Sequence, residues 1–342
     1  MEKRLEDEVG GREAEEVLSR MARRLLGARA VLVTSHIHPD GDSIGSEMAL
    51  VLGLRKLGKA VRLVNADPAP RKYAFLDPGG AIEVLRASGP GSLRGIDLGV
   101  LLDASEPSRV GALEPFFFGP GLERICLDHH PGPRSPLFLE HWVAPRAPAT
   151  GTLILRLLDA LGVALDAPIA AALFVAIATD TGWFQFSNTS SLALRDAARL
   201  LECGVEPEVV HARIYREFRP ERLLLLGRLL SGIRLEYGGR FAWSLLESEV
   251  IDRSGVPLEE MDGFTEEMKG IAGAEVVAMV VEQTPGAFKV SLRSRGDLDV
   301  NLIAVGFSGG GHAKAAGFRT GGRADEVVAA LARRVGEALG IR

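Results

Sequence analysis

"VTSHIHPDGDSIGSEMAL", Val33 to Leu50, sets two histidines and two aspartates within seven residues and then returns to ordinary apolar patterning. The preceding "ARAVLVT" (28–34) is a continuous apolar run rich in β-branched residues, the pattern of a short buried strand. The following "SIGSEMALVLGLRKLG" (43–58) has helical spacing and ends on Gly58, which suits the left-handed position that closes a helix. The titratable cluster therefore stands at the C-terminal tip of a strand, on the turn into a helix. In an open α/β sheet that is where ligands bind.

Working outward, "KAVRLVNA" (59–66), "DLGVLLDAS" (97–105) and "ERICLDHH" (123–130) read as further strands. Helical segments accompany them: "ATGTLILRLLDALG" (149–162), "APIAAALFVAIATD" (167–180) and "SSLALRDAARLLECG" (190–204). Strands alternating with helices, in runs too apolar for a half-exposed sheet, predict an α/β domain with a doubly wound, mainly parallel sheet over residues 1–190. Residues 191–235 are almost wholly helical in pattern and are expected to form a linker. Hairpin signals follow, "RLEYGGRFAWSLLE" around Gly-Gly and "AEVVAMVVEQTPGAFKVSLRS" around Pro-Gly, and "ADEVVAALARRVGEALG" supplies a last helix. Residues 236–342 thus predict a smaller α+β domain.

Composition narrows the function class. The chain has 342 residues, 46% hydrophobic and 25% charged, a globular balance in which two domains are the default. A net charge of −5 argues against a surface built to coat long nucleic acid, though not against a local basic pocket. Two cysteines, Cys126 and Cys203, leave no disulfide framework or thiolate zinc site, which fits a reduced compartment. The acidic opening stretch has no apolar signal region and no run reaches membrane-spanning length, so a cytoplasmic protein is expected.

Other acids and histidines recur at element ends. Asp103 ends "GVLLD", Asp128, His129 and His130 end "ICLDHH", and Asp180 ends "FVAIATD". With His36, Asp40 and Asp42, carboxylates converge from four elements onto one edge of the sheet. Several anions in one pocket repel by several kcal/mol unless neutralised, and divalent cations supply the neutralisation. Mixed His/Asp donors without cysteine suit Mn²⁺, with Mg²⁺ or Co²⁺ as alternatives. His141 and His211 read as ordinary partly buried histidines, and Cys126 as a structural thiol within a strand.

The segments "SHIHPDGDSIGS", "LLDASEPSRVG", "LDHHPG" and "ATDTGWFQF" resemble, in order, the four motifs of the DHH phosphoesterases. The later "VSLRSRGDLDVNLIAVGFSGGGHAKAAGF" resembles the DHHA1 domain signature. By length and domain pair the chain looks most like the NrnA-type nano-RNases, oligoribonucleases that also dephosphorylate 3′-phosphoadenosine-5′-phosphate.

This resemblance implies a DHH catalytic domain, the helical linker and a DHHA1 substrate-binding domain. It implies two Mn²⁺ per subunit: His36, Asp40 and Asp103 on one, and Asp42, Asp103, His129 and Asp180 on the other, with Asp103 shared. His130 would face the substrate phosphate, with Asp128 orienting a neighbouring histidine. Ser291, Arg293, Gly309, Gly310, Gly311 and His312 would hold the nucleotide. His38 stays outside the ligand set. Pro133, Thr152 and Ser308 depart from the family pattern, which usually has asparagine, glutamate and glycine there.

The implied reaction is hydrolysis of short oligoribonucleotides to mononucleotides, and of 3′-phosphoadenosine-5′-phosphate to AMP, by two-metal hydroxide attack. The expected partners are short RNA oligonucleotides and a 3′,5′-bisphosphonucleotide, without a membrane and with a homodimer as the assembly to test. Alternatives are a linear or cyclic dinucleotide phosphodiesterase and a single-strand-specific DNA exonuclease. An intact ligand set speaks against a non-catalytic nucleotide sensor.

Overall fold

In the computed structural model, which describes residues 9, 11–85, 93, 95–216, 218–261 and 263–341, the chain forms two compact units that divide after residue 217. Most of the acidic opening stretch lies outside the described residues. No described helix is long and apolar enough to cross a membrane.

The first unit is built on six parallel strands. They are β1 (Ala30–Thr34), β2 (Ala60–Asn65), β3 (Ile82–Val84), β4 (Leu98–Leu102), β5 (Glu123–Asp128) and β6 (Glu140–Val143), in the order β3-β2-β1-β4-β5-β6. The chain builds outward from β1 in one direction, then returns to place β4 on its other side. Right-handed crossovers in opposite directions put their helices on opposite faces, which is the doubly wound arrangement.

The alternation of side chains follows. Val31 and Val33 face one core, with Leu63, Val100, Leu102, Ile125 and Leu127. Leu32 faces the other, with Val64, Leu101 and Cys126. Long helices cover the first face: α1 (Gly11–Gly27), α2 (Gly41–Lys56), then beyond the short α3 (Glu114–Phe117) α4 (Thr150–Ala160), α5 (Ala167–Asp180), α6 (Ser191–Glu202) and α7 (Pro207–Tyr215). The second face is covered by α3 and the turn Pro107–Leu113, through Val110, Leu113 and Phe117.

The second unit has a mixed sheet, in the order β11-β12-β10-β9-β8-β7. Its strands are β7 (Arg234–Glu236), β8 (Phe241–Leu246), β9 (Val276–Thr284), β10 (Ala287–Ser294), β11 (Gly310–His312) and β12 (Ala315–Gly321). Both expected hairpins form: β7–β8 turns through Tyr237, Gly238 and Gly239, all at positive φ, and β9–β10 turns through Pro285-Gly286. Among the described strands of this sheet, only β8 and β9 run parallel.

α8 (Pro220–Ser231), α9 (Ser248–Ser254) and α10 (Phe264–Met268) bury Leu225, Leu229, Ile251 and Phe264 on one face of this sheet. α11 (Val300–Val305) and α12 (Ala324–Ala338) bury Val300, Ile303, Leu331 and Val335 on the other. The stretch 191–235 is shared between the units: α6 and α7 contribute Leu200 and Ile214 to the first core, while α8 packs in the second.

Candidate metal centre

The sheet order reverses between β1 and β4, the position at which open α/β sheets bind ligands beyond the C-terminal ends of their strands. The loop after β1 carries His36 and Asp40, Asp42 lies in the first turn of α2, and the residue after β4 is Asp103. His129 and His130 follow β5, and Asp180 is the last residue of α5. Donor atoms of His36, Asp40 and Asp103 lie within 4.8 Å of one another, as do those of Asp42, His129 and Asp180.

Asp103 stands between the two groups. Its Oδ2 is 3.4 Å from His36 Nε2, and its Oδ1 is 3.6 Å from His129 Nε2. The carboxylate thus presents one oxygen to each side.

Hydrogen bonds fix how each donor is presented. Asp40 caps α2: its Oδ1 accepts from Asp42 N at 3.0 Å and Ser43 N at 3.1 Å. Buried Asp42 accepts at the start of α4, from Thr150 N at 2.6 Å and Gly151 N at 2.9 Å. Thr150 Oγ1 donates to Asp103 Oδ1 at 2.9 Å, so one residue steadies both carboxylates. Asn188 Nδ2 donates to Asp180 Oδ2 at 3.1 Å.

The histidine tautomers show that the residues fit a cation. A carbonyl oxygen only accepts, so His36 Nδ1 must donate to Ile37 O at 2.7 Å and His129 Nδ1 to Ala147 O at 3.3 Å. Each ring then turns its Nε2 toward carboxylates. His129 Nε2 is buried without a hydrogen-bond partner, 3.6 Å from Asp42 Oδ2 and 3.7 Å from Asp180 Oδ2. A cation held between that buried nitrogen and the carboxylates would satisfy both, which is how this donor set fits a metal. Adjacent donors about 2.1 Å from an octahedral cation stand about 3 Å apart, close to these separations.

The electrostatics agree. Burial, reinforced by neighbouring aspartates, pushes the carboxyls of Asp42 and Asp103 well above the usual range, and burial also raises Asp180. Burial alone would raise Asp128 too, but hydrogen bonds from His130 and Ser105 hold it below the usual range. His130 Nδ1 donates to Asp128 Oδ1 at 2.9 Å, and chiefly for that reason its pKa is pushed up to about 9. His130 is half-exposed and its Nδ1 is 3.7 Å from Asp103 Oδ1. His38 is exposed and turned to Asp67, outside the cation-competent groups among the described residues.

In the second unit, Ser291 pairs with Gly317, which pairs with Gly310; Arg293 pairs with Ala315, which pairs with His312. Paired residues share a sheet face, and alternate residues of one strand do too. Ser291, Arg293, Gly310 and His312 therefore lie on one face, opposite the core face of Val290 and Leu292. Arg293 Nε is paired with Glu266 on α10.

Gly309 and Gly311 have a structural reason to be glycine. A Cβ on Gly309 would stand 2.3 Å from Gly317 O, and one on Gly311 2.5 Å from Ala315 O. Ser308 takes the left-handed φ of 59° that glycine adopts without cost.

Sequence reasoning did not single out Thr150, Gly151, Asn188 or Ser105. The small polar run "ATGT" ahead of an apolar helix is the one local signal, since it offers an unobstructed helix start.

Residues 30–177 match the family model described as the DHH family, N-terminal domain, and residues 244–337 match the DHHA1 domain. The chain is 35% identical over 294 residues to the bifunctional oligoribonuclease and PAP phosphatase NrnA of Thermus thermophilus, covering 84% of this chain and 83% of that protein. It is 23% identical to the Bacillus subtilis protein of the same name, covering 84% and 88%. Among solved structures, an exopolyphosphatase-related protein from Bacteroides fragilis aligns with a TM-score of 0.87 at 22% identity, covering 95% and 96% of the two chains. That last likeness bears on the fold.

Proposed function

Because this chain belongs to the DHH/DHHA1 family of phosphoesterases, we propose that it hydrolyses short oligoribonucleotides to mononucleotides and 3′-phosphoadenosine-5′-phosphate to AMP. The observation that carries the reading is Asp103, whose two oxygens face two separate donor groups.

His36, Asp40 and Asp103 would hold one divalent cation, and Asp42, Asp103, His129 and Asp180 a second. Their nitrogen and oxygen donors, without thiolate, suit Mn²⁺. When bound, such a pair makes water nucleophilic at neutral pH and draws charge from phosphoryl oxygens, toward the roughly 20 kcal/mol that phosphate-ester hydrolysis requires.

The chain's own residues supply orientation and charge. His130, protonated through its bond to Asp128, carries a second N–H at Nε2 that can stabilise negative charge growing on a phosphoryl or leaving oxygen. Thr150 and the start of α4 hold the carboxylates, so little reorganisation is needed during reaction. Arg293, Ser291, His312 and the 309–311 backbone form the proposed nucleotide-binding face of the second unit. Arg293 can exchange Glu266 for a phosphate, since both are oxyanions.

A substrate panel with Mn²⁺ tests this: 3′-phosphoadenosine-5′-phosphate, pGpG, RNAs of increasing length, single-stranded DNA and pyrophosphate. The reading expects turnover of the bisphosphonucleotide and of the shortest RNAs. Turnover confined to single-stranded DNA, to pGpG or to pyrophosphate would overturn it.

A further inference from the structure

Behind Asp128 runs a line of hydrogen bonds whose directions are all fixed. Ser135 N donates to His141 Nδ1 at 2.9 Å, and a backbone N–H can only donate. His141 Nδ1 is therefore unprotonated, and the neutral ring carries its proton on Nε2. That proton points to Ser105 Oγ at 3.0 Å. The hydroxyl, accepting there, gives its own proton to Asp128 Oδ2 at 2.6 Å. The other oxygen of Asp128 accepts from His130, through Nδ1 at 2.9 Å and N at 3.0 Å.

Three neighbouring strands contribute to this line. Ser105 follows β4, Asp128 ends β5 and His141 lies in β6, where it pairs in register with Cys126 and is buried against Phe138. Burial also lowers the His141 pKa, in keeping with a neutral ring. Hydrogen bonds to both oxygens of Asp128 favour one orientation of its carboxylate, the one that presents Oδ1 to His130.

We propose that His141 and Ser105 are positioning residues that act through Asp128 to set the orientation of His130. The inference rests on the phosphoesterase role given to His130 above, and His141 itself touches no reacting atom.

The test is a double-mutant comparison on the Mn²⁺-loaded full chain, following phosphate release from 3′-phosphoadenosine-5′-phosphate. Ser105→Ala removes a bond to the buried carboxylate and should lower kcat about tenfold, and His141→Phe, which frees the Ser105 hydroxyl to turn away from Asp128, should do the same, with KM and Mn²⁺ affinity little changed in both. His141→Gln can accept from Ser135 N and donate to Ser105 Oγ, so it should recover most of the loss. In a His130→Ala background neither substitution should lower kcat further, because the group they position is gone. A loss of equal size in that background, a loss seen as weaker Mn²⁺ binding, or no loss at all would overturn this inference alone. Full activity in His130→Ala, or no wild-type turnover, would overturn the assigned function together with it.

Discussion

Asp103 holds a φ of 61°, a left-handed backbone that costs a non-glycine residue about 1–2 kcal/mol. Such strain persists where surroundings fix it, here Leu127 O accepting from Asp103 N at 3.0 Å and Thr150 Oγ1 on the carboxylate. What the strain secures is one oxygen for each donor group. Glu47 on α2 is another buried acid: Asn65 Nδ2 donates to its Oε2 at 2.9 Å, and burial raises its pKa from 4.5 to about 7. Folding therefore favours the protonated acid. That contribution is full below about pH 4.5 and is lost as pH rises through about 7, a change of about 3 kcal/mol. Glu47→Gln, neutral throughout, should match wild type in urea unfolding near pH 4.5 and exceed it by about 2–3 kcal/mol near pH 8. A difference that does not vary with pH would contradict this. In the second unit, replacing Arg293 by Ala should cost about 10- to 150-fold in kcat/KM on 3′-phosphoadenosine-5′-phosphate and almost nothing on p-nitrophenyl phosphate, which has neither base nor second phosphate. Equal losses on both substrates would mark a disturbed fold instead. Charged residues at strand tips could be read from the sequence because tips bind ligands. Glu47 and Thr150 could not, because their partners are remote in the chain, and Asn188 could not, because it is one polar residue of a turn that carries no periodicity.

At the scale of elements, the site depends on how closely α2 meets α5. A Cβ on Gly41 would stand 2.3 Å from Thr179 Oγ1, and one on Gly45 2.4 Å from Ala172 O. Spaced four apart, the two glycines share one face of α2 and let α5 approach until Asp180 joins Asp42 and His129. In the sequence they pass for the ordinary small residues of an apolar helix. Gly45→Ala meets backbone atoms that no side-chain rotation can clear, so overpacking of about 1–3 kcal/mol is expected. The separated helices should also weaken Mn²⁺ binding, measured by calorimetry beside the unfolding midpoint. Unchanged stability together with unchanged metal affinity would refute the role given to this contact. The central strands and the apolar helices from α2 onward were legible because their apolar runs are continuous, whereas α1, whose apolar residues are spaced among charges, was not. The short β3, β6 and β11 were not, since three or four residues such as "IEV" or "EHWV" carry no periodicity of their own.

At the scale of the molecule, the order β3-β2-β1-β4-β5-β6 brings the tips of β1 and β4 to the point where the sheet reverses, and the candidate metal centre lies there. The two-sheet organisation could be read from the change between continuous apolar runs and hairpin signals. The sharing of residues 191–235 between two cores could not, because helical periodicity does not say which core a helix faces. The central claim is that Asp103 joins two cation sites. Calorimetric titration of the metal-stripped chain with Mn²⁺ tests it most directly, comparing wild type with Asp103→Ala and following phosphate release in the same samples. The account predicts two Mn²⁺ per wild-type chain, weakened binding at both sites in Asp103→Ala, and no turnover by that variant. One ion per wild-type chain, or an Asp103→Ala variant that keeps two ions and full activity, would contradict it.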